Sequence, residues 1–192
     1  MKIAAALFGA GLLLTGCERT PPTAPESHYL SPVETIPPSP VADPAAVRWM
    51  DGFCAAVRGY QERTNREAGP ARPTPSSVGE VQRAISAELG GLADRTGEAI
   101  GKLTALPPAP VPLGETVRTA FVTKFTTARD RAAAAKTTLD RAKPNSEESQ
   151  GPAVQALDQA QADLDGTYDP VGAVTASPEL MLAAVSAPGC KA

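Results

Sequence analysis

The sequence predicts an all-α fold, an antiparallel bundle of four main helices with a short fifth at the C-terminus. Three observations carry that prediction. Apolar residues recur at spacings of three and four along several long segments, the period of one helical face. Proline- and glycine-rich stretches separate those segments and stop helices where they fall. No segment shows the alternation of a half-buried strand, and no hairpin turn signal lies between apolar runs. Composition agrees: aromatic residues are only 4% of 192 residues, while alanine, the best helix former, is plentiful.

The first helix opens at Asp43-Pro44, an N-cap residue followed by proline at the first helical position. Its apolar face runs Val47, Met50, Phe53, Cys54, Val57 and Tyr60, and it should end near Arg66, before Gly69-Pro70. The second helix begins at Ser77, with Glu80 three residues on as a capping box. Its face is Val81, Ile85, Leu89, Leu92, Thr96, Ala99, Leu103 and Leu106. Gly90, Gly91, Gly97 and Gly101 weaken it, by up to about 1 kcal/mol each relative to alanine, which points to close helix packing, a kink or local mobility. Pro107, Pro108, Pro110 and Pro112 stop it. After Gly114 a third face reads Val117, Phe121, Phe125, Ala128, Ala132, Ala135, Leu139 and Ala142, closing at Lys143-Pro144. Phenylalanine gives way to alanine along this stripe, so a neighbour can approach its C-terminal half more closely. A fourth helix over residues 149–165 should face inward through Val154, Leu157, Gln161 and Leu164, and Gly166 ends it. Residues 166–176 read as irregular. Ser177-Pro178 starts a short last helix carrying Leu180, Met181, Ala184 and Val185.

The N-terminus has a different texture. Lys2 and the terminal amine supply positive charge, residues 3–14 form an apolar run, and Thr15-Gly16 precede Cys17. This is the layout of a secretory signal peptide, too short for a helix that spans a bilayer. Leu14-Thr15-Gly16-Cys17 resembles the lipobox of bacterial lipoproteins, and the alanine- and proline-rich chain is similar in style to secreted lipoproteins of actinobacteria. The resemblance implies that residues 1–16 are removed and that the thiol of Cys17 carries a diacylglycerol. Two or more acyl chains hold a protein stably on a membrane, whereas one does so only marginally. An ordinary signal peptide with Cys17 as a bystander, and an uncleaved anchor, are the rival readings.

With Cys17 assigned to lipid, Cys54 and Cys190 remain. On an oxidising exterior they are expected to pair, tying the first helix to the extreme C-terminus with a chain-entropy stabilisation of about 5 kcal/mol. Neither has a cysteine or histidine near it in sequence, so a zinc or redox site fits poorly. Residues 17–43, with Pro21, Pro22, Pro25, Pro32, Pro37, Pro38 and Pro40, read as a disordered tether that reaches up to about 80 Å in polyproline II geometry. Residues 44–192 are then the helical domain.

Chemistry is sparse. The single histidine, His28, falls in the tether, which leaves no histidine for a triad or a metal site within the helices. No phosphate-binding glycine motif occurs, and a net charge of −3 gives no basic footprint for nucleic acid. Asp94 with Glu98, Glu98 with Lys102, Glu147-Glu148, and Asp158 with Asp165 are the remaining candidates, and solvated faces, caps and ion pairs account for them. Arg129, Lys136 and Lys143 recur every seven residues on the third helix, as Asp158 and Asp165 do on the fourth. Adjacent antiparallel helices would let these stripes pair, while a basic strip facing outward would meet anionic lipid or a cell-wall polymer. The expected protein is therefore a non-enzymatic lipoprotein on the extracytoplasmic face of the membrane, without metal or cofactor. Its bundle would bind a protein or an envelope polymer. The alternative is a carrier or sensor of a small apolar ligand between helices, for which Trp49, Met50 and Phe53 are the candidate lining.

Overall fold

Three of the five helices among the described residues begin where a side chain accepts from an orphan backbone donor. Asp43 Oδ1 accepts from the Ala45 amide at 2.7 Å, and Pro44 opens α1 (Pro44–Glu67). Ser77 Oγ accepts from Glu80 N at 3.3 Å at the start of α2 (Val78–Thr104). The reciprocal half of this box is displaced by one residue, because the Glu80 carboxylate accepts from the amide and the hydroxyl of Ser76, both at 2.7 Å. Ser177 Oγ accepts from Leu180 N at 3.2 Å to open α5 (Pro178–Ser186). The computed structural model describes residues 40–69 and 74–191, all within one compact unit. The leader, Cys17, His28 and nearly all of the tether expected from sequence lie outside the described residues.

The described residues are all-α, with five helices and a disulfide between Cys54 and Cys190. Pro112 starts α3 (Pro112–Arg141) instead of ending the preceding loop. Its missing N–H is one the first turn leaves unpaired anyway, so proline at this position serves as an initiator. Helix α4 (Gln150–Ala162) is shorter than expected, flanked by a 3-10 turn at Glu147–Ser149 and by turns running to Gly166.

Helices α1 and α2, and α2 and α3, pack with opposite chain directions. Between α1 and α2, Gly52 faces Leu106, Gly59 faces Lys102, and Glu67 meets Arg95. Between α2 and α3, Gln82 reaches the Leu139 carbonyl, while Gly97 faces Arg129. Helix α4 lies against α3 and α2, and α1 is flanked by α5 and the final turn Pro188–Cys190. Aromatic side chains from α1 and α3 fill the centre: Trp49 stacks on Phe53 at 5.1 Å, Phe53 meets Phe121 edge-on at 5.0 Å, and Tyr60 meets Phe125 at 5.2 Å. Each such ring contributes about 1.5–3 kcal/mol by leaving water.

Two inward faces differ from expectation. On α4 the buried residues are Ala153 and Ala160, with Leu164 beyond its end and Leu157 partly buried, while Val154 and Gln161 face solvent. The alanine-rich half of α3 leaves room for close approach only by small side chains, so alanines turn inward. On α5, Leu180, Ala183 and Ala184 are buried and Val185 is exposed. The stretch before α5, expected to be irregular, forms turns that bury Thr167 and Val174, with the Thr167 hydroxyl donating to the Leu164 carbonyl at 2.7 Å.

Candidate functional site

Helix α1 presents Cys54 on its buried face, and the turn at Pro188–Cys190 brings the C-terminal cysteine to it with 5.0 Å between the Cα atoms. The Gly189 amide donates to Asp51 Oδ1 at 2.6 Å, and a Cβ at Gly189 would collide with the Asp51 carbonyl. Glycine is therefore what lets the last turn lie flat on α1. Trp49, Met50 and Phe53 are packed into the core with at most 1% of their surface exposed. They are the wall between α1 and α3, and neither of the two grooves described below includes them. The indole Nε1 of Trp49 is buried without a hydrogen-bond partner.

A buried cation holds α1 to α2. Arg95 is 5% exposed, and its guanidinium donates to Glu67 on α1 and, at 3.3 Å, to Glu88 two turns back on α2. Arg63 bridges Glu67 and Glu98. The Arg63 and Arg95 guanidinium groups hold the Glu67 carboxyl below its usual range, Arg63 contributing most. Beside this cluster, burial pushes the Tyr60 phenol up to about 12, with a further contribution from Tyr168. Arg95 was not singled out from sequence. The available signal was its position between Leu92 and Ala99 on the apolar face of α2, where an arginine must find carboxylates.

The basic stripe on α3 does not meet the acidic stripe on α4. Arg129 and Lys136 point at α2, where their stems lie over Gly97 and Gly90, and Lys136 pairs with Asp140 of its own helix. Helices α3 and α4 are linked instead by Arg131, which donates to Asp163 at 2.7 Å and to Gln159 at 3.1 Å. Asp158 and Asp165 are exposed. Two of the glycines of α2 thus lie under the stems of long basic side chains from α3.

Two of the concavities among the described residues flank α3. A polar cleft of about 690 Å³ lies between the start of α2 and the end of α3, roofed by the turn that follows α3. Gln82, Arg83 and Ser86 come from α2, Lys136 and Asp140 from α3, and Asn145 from the turn. Ser86 Oγ donates to Asp140 at 2.5 Å and accepts from Lys136 Nζ at 3.2 Å. Lys136 also donates directly to Asp140, and the bonds from Lys136 and Ser86 hold the Asp140 carboxyl below its usual range, the Lys136 one being the larger. Asn145 adopts a left-handed backbone with φ of 62°, and its amide donates to Gln82 Oε1 at 3.1 Å. The second concavity, about 420 Å³, runs between α3 and α4. Its lining is mainly Ala134, Ala135, Leu139, Pro152, Ala153 and Ala156. Among the described residues no cluster of three or more histidine, cysteine, aspartate or glutamate side chains could hold a metal ion, and no helix is long and apolar enough to cross a membrane. No family model, curated protein or solved structure matches the chain.

Proposed function

We propose that this protein is a lipoprotein, held on the extracytoplasmic face of the membrane by acyl chains on Cys17, whose helical bundle binds a component of the cell envelope. The observation that carries the reading is the Cys54–Cys190 disulfide. Such bonds persist in oxidising compartments, which agrees with the export implied by residues 1–17. The bridge also uses two of the three cysteines, so Cys17 in Leu14-Thr15-Gly16-Cys17 is the thiol left for acylation.

Binding rather than catalysis is supported by the state of the carboxylates. Glu67, Glu80, Asp140 and Glu179 are each stabilised in the charged form by hydrogen bonds. A general acid or base working at neutral pH needs the opposite displacement. Asp94, Glu98, Glu147 and Glu148 are exposed. The experiment that tests the anchor is metabolic labelling with a fatty-acid probe. The wild-type chain takes the label and fractionates with the membrane, and Cys17→Ala abolishes labelling. A Cys17→Ala chain that stays membrane-bound and equally labelled defeats the reading.

The apolar groove between α3 and α4 favours a second reading, carriage of a small apolar ligand. It differs from the expectation in location, because Trp49, Met50 and Phe53 serve the core. Filling the groove with Ala135→Phe would abolish uptake of a fluorescent fatty acid if this reading holds, and uptake unaffected by the substitution would count against it.

A further inference from the structure

We infer that the polar cleft between α2 and α3 is a carbohydrate site that takes a monoanionic sugar, one bearing a carboxylate, of the kind found in acidic envelope polysaccharides. This rests on the reading of the bundle as an envelope-binding module and names its ligand class.

Size admits the ligand: about 690 Å³ lies inside the range of small-molecule sites. Charge selects it. Arg83 forms no close salt bridge among the described residues, although it acts at longer range on the Glu80 carboxylate, which does not line the cleft, and the ammonium of Lys136 is matched by Asp140. The side chains that line the cleft therefore carry one surplus positive charge, on a guanidinium, the group whose fork fits a carboxylate. A phosphomonoester, close to doubly charged at neutral pH, would bring a second negative charge toward Asp140.

The remaining groups suit hydroxyls. A sugar hydroxyl both donates and accepts, so it is best met by a donor and an acceptor side by side. Lys136, Ser86 and Asp140 supply that alternation, and their mutual hydrogen bonds orient them before a ligand arrives. Asn145 adds an amide whose side chain makes no hydrogen bond within the described protein. Its position is set by backbone: a left-handed φ of 62°, the bond from its amide to Gln82, and contact with Gly79, where a Cβ would collide with Asn145 Oδ1. The exposed Asn145 side chain thus lies at the rim of the cleft, over Gly79, with its donor and acceptor free to meet a ligand hydroxyl.

The test is titration of the full-length chain carrying Cys17→Ala, followed by amide chemical shifts, with tetragalacturonate, maltotetraose and inorganic phosphate as separate probes. Tetragalacturonate is expected to shift residues 79–87 and 136–145 and to bind best of the three. Arg83→Gln should weaken it about tenfold, the scale of one charge-assisted contact. Arg48→Gln, on α1 and outside the cleft, should not. Gly79→Ala should weaken binding by moving Asn145, with helix content unchanged. Absence of binding, binding by Arg83→Gln equal to the wild type, maltotetraose binding as tightly, or phosphate binding more tightly would each overturn the proposal. Because the titration uses a chain that cannot be acylated at Cys17, its failure is separate from failure of the anchor, which the labelling experiment reads.

Discussion

Opening the Cys54–Cys190 bridge removes the covalent tie between the C-terminal segment and α1 without deleting an atom of the core. The two cysteines are 136 residues apart. In the chain-entropy treatment a loop of that size restricts the unfolded ensemble by about 5 kcal/mol. Domains of this size are stable by about 5–15 kcal/mol, so the bridge accounts for a third or more of the whole. Contacts that outlast reduction are those of Leu180, Ala183, Ala184 and Ala187, all buried, and the bond from Gly189 to Asp51. Reduction should therefore lower stability without abolishing the fold. At roughly 2–4 °C per kcal/mol for a domain of this length, Tm should fall by about 10–20 °C. The assay is thermal and urea unfolding followed by circular dichroism, with and without reductant, in a Cys17→Ala background. The urea dependence should also steepen on reduction, because an unbridged denatured chain exposes more surface. Equal Tm values and equal slopes in the two redox states would refute the reasoning, since the bridge would then not be constraining the unfolded chain.

Glu67→Gln leaves buried Arg95 with less compensation and should cost about 1.5–3 kcal/mol, the scale of a hydrogen bond to a charged group. Arg95→Met, which removes the buried charge itself, should cost less than Glu67→Gln and Glu88→Gln together, as read by urea midpoints. Because Glu67, Glu80 and Asp140 sit below their usual carboxyl range when folded, their contribution is full above that range. It is lost as pH falls through the folded values, so urea midpoints should drop in acid. Tyr60 is raised from 10.0 to about 12, so its contribution is present below pH 10 and lost as pH rises through about 12. Absorbance at the tyrosinate band should show a late component that Tyr60→Phe removes. In α2, Gly101 has nothing within 4 Å of a Cβ, whereas a Cβ at Gly91 would lie 2.9 Å from Arg95. Gly101→Ala should stabilise by about 1 kcal/mol and Gly91→Ala should not, by the same unfolding assay.

The helix starts were legible because capping is local: Asp43, Ser77 and Ser177 act on amides two or three residues away. The faces of α1 to α3 were legible because large apolar side chains at the helical period have one way to leave water. Reading failed where side chains are small or charged. On α4, alanine against valine is too weak a contrast to orient a helix, and the choice fell to the surface it meets on α3. On α3 the sevenfold spacing of Arg129, Lys136 and Lys143 states that they share a face, but not which neighbour that face meets. The cleft was invisible for a related reason: Gln82 and Asn145 become neighbours only through the turn after α3.

The sequence by itself determined the helical class and the helix boundaries to within a few residues, and of its three cysteines the two within the helical region were the pair expected to bridge. These follow from chemistry within one turn of helix or from composition. Only the tertiary structure decided that Arg95 is buried between carboxylates, that Trp49, Met50 and Phe53 serve the core, and that Arg83, Ser86, Lys136, Asp140 and Asn145 share one cleft. Each of those depends on the rotation and spacing of two helices, which interhelical packing sets and no single helix encodes.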